Sequence, residues 1–269
     1  MKYLFVLCAF AHGLLCAQPP KNNFISGKYP LLGKAHESVP FESHALKGAV
    51  FYLISGHGGP DPGAMATHNG STICEDEYAY DITLRLAQKL IANGAKVYMI
   101  TRDEKNGIRD QAILPPDQGE TCYKKGKIPL NQLKRLEQRV EIINQLAQKH
   151  KASYQRVVEI HIDSRAEDAQ TDLYFYHLQN SEKGARLALN LHSTLAQKYA
   201  EHQKNRGYRG TIEARKLYSL KATTPYAVYI EVGNIQNAFD LKRILLHDNR
   251  QAIANWLGEG LVSDFKMGE

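Results

Sequence analysis

Three side chains able to bind a metal or move a proton follow apolar, β-type runs. They are His57 after residues 49–54, His161 after 156–160, and Glu231 after 227–230. Two imidazoles and one carboxylate around an open position make a catalytic zinc site. A further carboxylate beside such a site can take a proton from water. The remaining candidate donor lies in Cys74-Glu75-Asp76-Glu77, at the start of a helical pattern, where Glu75 and Glu77 both qualify by residue type. The glycines of Ser55-Gly56-His57-Gly58-Gly59 let the backbone turn sharply and come close to a ligand. His177, His192 and His202 read as surface or packing residues, and Tyr174, Phe175 and Tyr176 as sheet packing.

The elements that must position these groups follow from periodicity. Residues 49–54 form a buried strand, and 97–100 form the next. Between them Glu77 to Asn93 reads as a helix, with Tyr80, Leu84, Ala87 and Ile91 on one face and Arg85, Gln88 and Lys89 on the other. This is a strand–helix–strand unit with parallel strands and a right-handed crossover. A long polar segment, 104–129, follows, then a helix over 130–149 with Leu133, Leu136, Val140, Ile143, Leu146 and Ala147 as its apolar positions. Strands are expected at 156–160, 172–177, 217–220 and 227–230, and helices at 184–199, 241–245 and 251–261. Strands of like direction bring their carboxyl ends to one edge, where open sheets place ligands. The expected fold is one α/β domain: a twisted, mostly parallel or mixed sheet with helices on both faces.

Residues 1–17 carry one lysine, a short apolar run and small residues before position 17, the pattern of a secretory signal. Leu15 makes Cys16 a poor site for lipid modification. Residues 18–47 read as a polar lead-in and 48–265 as the folded domain. No later stretch approaches membrane length, so stable membrane insertion is not expected. The net charge of +6 suits a polyanionic partner, and the chain has no nucleic-acid motif. Cys74 and Cys122 lie outside the signal, and they form either one disulfide or two buried thiols.

The segment Gly56-His57-Gly58-Gly59-Pro60-Asp61-Pro62-Gly63-Ala64 resembles the GHGGxDPGA signature of the zinc-dependent N-acetylmuramoyl-L-alanine amidases, which act on peptidoglycan. The resemblance continues in order through Thr101-Arg102, through Leu136, Arg139-Val140 and Asn144, through Ile160-His161-Ile162-Asp163-Ser164, and through Tyr229 to Asn237. It covers roughly residues 48–262. It implies a phosphorylase/hydrolase-like fold and a Zn2+ ion held by His57, a glutamate of 75–77 and His161, with Glu231 as the catalytic carboxylate. In this family the ligand opens the helix, with an apolar face three, seven, ten and fourteen residues on. Counting from Glu77 meets Tyr80, Leu84, Ala87 and Ile91, so the resemblance favours Glu77. The implied reaction is cleavage of the amide between N-acetylmuramic acid and L-alanine, in the periplasm or outside the cell. Glu159, Asp163, Asn234 and the long 104–129 segment depart from the family pattern. The segment is expected to border or cover the cleft, with Cys122 tied to Cys74. Other readings are an exported hydrolase of a different amide or peptide, and a wall-binding protein with a vestigial zinc site.

Overall fold

The strand that leads into the His57 turn is buried along its whole length, as a strand covered on both faces must be. In the computed structural model, which describes Ile25 and residues 27–268 apart from Lys125 and Ala152, that strand is β1 (Val50–Ser55). The elements that follow it are a hairpin of β2 (Met65–His68) and β3 (Ser71–Cys74), α1 (Glu75–Ala92), β4 (Lys96–Met99), β5 (Thr101–Arg102), β6 (Thr121–Cys122), β7 (Gly126–Lys127), α2 (Gln132–Gln148), β8 (Gln155–Asp163), β9 (Tyr174–Leu178), α3 (Glu182–His202), β10 (Thr211–Arg215), α4 (Tyr218–Ala222), β11 (Tyr226–Asn234), α5 (Ala238–Leu245) and α6 (His247–Lys266). The expected signal segment 1–17, including Cys16, lies outside the described residues.

The main sheet runs β10-β9-β11-β8-β1-β4. All its pairs are parallel except β11 with β9. Alternation along β1 divides the core. Phe51 and Leu53 pack with side chains of α1, α3 and α6, whereas Val50, Tyr52 and Ile54 pack with Ile143, Leu146 and Ala147 of α2. The mixed sheet and two helical layers are those expected from the sequence.

Several local expectations give way. The strand expected at 217–220 is instead the opening of α4, and a strand forms at 211–215. Leu217 and Leu220, three apart, both pack on the α2 side of the sheet, which is a helical spacing. β10 is an edge strand whose last three residues are exposed, so it carries no apolar signal. Helix α1 has no fully exposed face: of the expected polar positions Gln88 and Lys89 are half-buried and Arg85 is buried. Arg85 is 3% exposed and its guanidinium donates to Asp81 at 2.8 Å, Asp110 at 2.9 Å and Gln251 at 3.0 Å. Leu133 is 52% exposed, because α2 begins at Gln132 and turns its first residues outward.

The 104–129 segment packs along the start of α1. Leu114 and Ile128 are buried. The Tyr78 hydroxyl donates to Ala112 O at 2.8 Å and accepts from Leu114 N at 3.0 Å. Cys122 and Cys74 are buried free thiols, so the disulfide does not form. They sit in different small sheets: Cys122 lies opposite Thr101 across β5 and β6, and Cys74 lies opposite Met65 in the β2–β3 hairpin. The described part of the lead-in is folded against the domain, and Leu32, Val39 and Leu46 belong to the core.

Buried charge ties the far end of the sheet to its helices. Asp264 of α6 accepts from Arg156 Nε at 2.9 Å, from Asn190 Nδ2 at 2.9 Å and from the Tyr154 hydroxyl. Both Arg156 and Asp264 are fully buried. Asp264→Ala strands that arginine, and breaking such a pair costs about 3–5 kcal/mol. Urea unfolding should report a loss of that order, and a loss below about 1 kcal/mol would contradict the assignment.

Candidate metal centre

β1 and β8 are parallel neighbours, with Ser55 opposite Ile160. Their carboxyl ends therefore deliver His57 and His161 to one edge. Glu231 lies directly opposite His161 on β11. Helix α1 starts at the same edge, because the hairpin after the His57 turn returns the chain there.

Glu75, the first residue of α1, stands between the two rings. Its Oε1 is 2.9 Å from His161 Nδ1, and its Oε2 is 3.3 Å from His57 Nε2. The same oxygens accept from Ile162 N at 2.9 Å and Ala64 N at 2.8 Å. Burial opposes ionisation of this carboxyl. The His161 hydrogen bond, the charge of both rings and the Ala64 N–H together still hold it below the usual carboxylate range.

The space for this group is made by glycine. A Cβ on Gly56 would lie 2.3 Å from the His161 ring, and one on Gly63 would lie 2.6 Å from Glu75 Oε2 and 2.8 Å from the His57 ring. His57 itself takes a left-handed φ of 58°. That conformation is uncommon for a non-glycine residue. Arg139 holds it by donating to the His57 carbonyl.

Glu77, expected from the sequence to face the histidines, does not. Its Oε2 accepts from Arg109 at 2.7 Å and its Oε1 from Asp117 N at 2.7 Å. The helix begins two residues earlier than expected, and two residues are about 200° apart around a helix. Glu75 and Glu77 therefore point to opposite sides. The apolar-face count misleads because α1 is buried over most of its surface, so its periodicity does not mark the side facing the site. Glu77 groups instead with Asp117 and Glu120. Glu120 accepts from Gly59 N at 2.9 Å and so braces the motif from behind.

Each histidine carries a carboxylate on its outer nitrogen. His57 Nδ1 is 2.8 Å from Asp61 Oδ2, and His161 Nε2 is 3.2 Å from Glu159 Oε1. Asp61 also accepts from Arg135. Its carboxyl is lowered to about 2, chiefly by the His57 hydrogen bond. Burial works to lower the His161 pKa, but bonds from Glu159 and Glu75 outweigh it and raise it to about 10. Tyr229 stacks on the His161 ring at 4.2 Å, with 16° between the planes. Asp61 and Tyr229 have supporting roles that the sequence reading did not assign. For Glu159, whose role is likewise not assigned from the sequence, the usable signal is spacing, since Glu159 and His161 are two apart on a strand and share a face.

Glu231 is buried, and its Oε2 has no hydrogen-bond partner among the described residues. Burial raises its pKa to about 8, and the nearby Glu75 charge adds to this against the opposing effect of His161. A cavity of ≈ 190 Å³ is lined in part by His57, His161, Asp61, Arg135, Glu159 and Tyr229, on the side of the rings that carries their outer carboxylates. Residues 116–118 of the 104–129 segment line a second cavity together with Gly59, Pro62 and Cys74, so this segment forms a wall beside the motif. His57, Glu75 and His161 bring two nitrogens and a carboxylate oxygen within 4.8 Å of one another. This donor set suits a divalent metal such as zinc.

Fold and site together are those of an α/β enzyme with a His–Glu–His group and a separate buried carboxylate at the carboxyl edge of its sheet. Residues 52–263 match the N-acetylmuramoyl-L-alanine amidase family (Amidase_3), and the chain belongs to that family. It is a peptidoglycan amidase. The germination-specific N-acetylmuramoyl-L-alanine amidase of Bacillus subtilis is 24% identical over 227 residues, 82% of this chain and 81% of that protein. Similar folds occur in the CwlD amidase of Clostridioides difficile, solved in complex with the GerS lipoprotein (TM-score 0.59, 17% identity, 81% of this chain and 98% of that one). The amidase AmiC2 of Nostoc punctiforme is also similar (TM-score 0.57, 20% identity, 84% and 99%).

The positions of the two glutamates give a direct test. Glu75→Ala should abolish tight zinc binding measured by metal analysis after dialysis, and Glu77→Ala should retain it. The reverse result would return the ligand role to Glu77.

Proposed function

We infer that the protein is an exported, zinc-dependent amidase that cleaves the bond between N-acetylmuramic acid and the L-alanine of the stem peptide. The observation that carries this is Glu75 held between the inner nitrogens of His57 and His161, with Glu231 on the adjacent strand. His57 Nε2, His161 Nδ1 and the Glu75 carboxylate are the atoms that would hold zinc. Zinc bound there supplies Lewis-acid polarisation of the amide carbonyl and lowers the pKa of water.

The rest of the chemistry belongs to the chain. Glu231 takes a proton from the attacking water and delivers it to the departing amine of L-alanine, while the water oxygen becomes part of the new lactyl carboxylate. Burial raises the Glu231 pKa, and a divalent cation bound beside it would favour the ionised form that a general base needs. Asp61 and Glu159 brace the two rings from outside, and such outer carboxylates fix ring orientation in metal sites. The net charge of +6 favours approach to an anionic wall. The signal-like pattern of residues 1–17 supports export.

Two outcomes test this reading. Chelation should stop release of peptides from purified peptidoglycan, and zinc should restore it. Activity that survived complete metal removal would end the proposal. Zinc binding must displace the proton that His161 carries below its raised pKa. Apparent zinc affinity should therefore strengthen as pH rises through neutrality. In the second test, Glu231→Gln should keep zinc and lose activity by roughly a hundredfold or more. Loss of zinc in that variant would make Glu231 a ligand instead.

A further inference from the structure

Glu159 is a buried carboxylate that no step of the reaction uses directly. It is 3% exposed. Removing a carboxylate from water is costly unless it is bonded to something that needs it. Its Oε1 lies 3.2 Å from His161 Nε2, and His161 is its main support, with the Ser219 side chain and the Arg139 charge contributing less. Asp61, in the corresponding place beside His57, is also paired with Arg135. Among the described residues, the ion pair that Glu159 forms is with His161.

The arrangement selects one form of the His161 ring. Its Nδ1 faces Glu75 at 2.9 Å, on the side of the His57–Glu75 group. For Nδ1 to offer a lone pair to a metal, the ring proton must sit on Nε2, where Glu159 accepts it. The ring has little freedom to swing elsewhere. Tyr229 covers one side at 4.2 Å, and Gly56 comes so close that a Cβ there would be 2.3 Å from the ring.

We propose that Glu159 is a positioning residue for metal binding: it holds the His161 proton on Nε2 and so presents the Nδ1 lone pair beside Glu75 to a divalent cation. The inference rests on the zinc reading of His57, Glu75 and His161. Loss of such an outer partner typically weakens metal affinity 10–100-fold.

The test uses the full mature protein and two variants. Glu159→Met removes the acceptor at similar volume, and Glu159→Gln keeps an acceptor oxygen without the charge. Zinc dissociation constants come from competition with a chromophoric chelator. Cobalt-substituted absorption spectra report the ligand environment, and melting of the metal-free protein reports the fold. Glu159→Met should bind zinc about 10–100-fold more weakly, with an altered cobalt spectrum and no loss of metal-free melting temperature. Glu159→Gln should recover part of the affinity. Native affinity in Glu159→Met, or no recovery in Glu159→Gln, would overturn the proposal. So would failure to fold or a lowered metal-free melting temperature in Glu159→Met, which would assign Glu159 to the core. Failure of the unsubstituted protein to bind zinc would remove the metal reading itself and this inference with it.

Discussion

One carboxylate sets the terms for the rest of the site. Glu75 accepts from the backbone of Ala64 and of Ile162 and faces both imidazoles. These contacts join the turn after β1, the first residue of α1 and the end of β8. A carboxylate at a helix N-terminus is favoured by the helix dipole, and the two backbone N–H groups offset its loss of water. Moving it would leave two donors and two rings without their common partner.

Other features follow from accommodating that group. Gly56 and Gly63 are places where a β-carbon would occupy the space of the cluster. The left-handed turn at His57 aims one ring inward, with Arg139 fixing its carbonyl. The segment 104–129 acts from the far side: Glu120 bonds the backbone of Gly59, and Ile128 packs on the same glycine. Residues of α2 and β8 line one cavity at the two histidines, and residues 116–118 line another beside Gly59 and Pro62. The buried thiols Cys74 and Cys122 contribute packing without a covalent link.

The sequence made His57, His161 and Glu231 legible because each ends an apolar β-run, and parallel strands bring such ends together. The order of the layers was legible for the same reason. What the sequence hid has a common cause, which is burial or exposure contrary to periodicity. Helix α1 is buried over most of its surface, so an apolar count from Glu77 points to the core and not to the side that faces the histidines. β10 is exposed at the sheet edge and carries no β-type run. The outer bonds of Asp61 and Glu159 depend on three-dimensional closure of the turn and are visible in sequence only as spacings of four and two residues.

The match to the amidase family begins at residue 52, whereas the folded body begins earlier. Leu32, Val39 and Leu46 are core residues. Leu32 O accepts from Ile108 N, and the backbone N–H groups of Glu42 and Leu46 bond the last turn of α1 at Ala92 and Asn93. The unit shared with relatives and the unit that folds therefore have different left-hand boundaries. A domain excised at the homology limit would bare the C-terminal end of α1 and deprive the 104–129 wall of its neighbour. Through that wall the damage would reach Gly59 and the turn that carries His57, although the missing stretch contains none of the metal-facing residues.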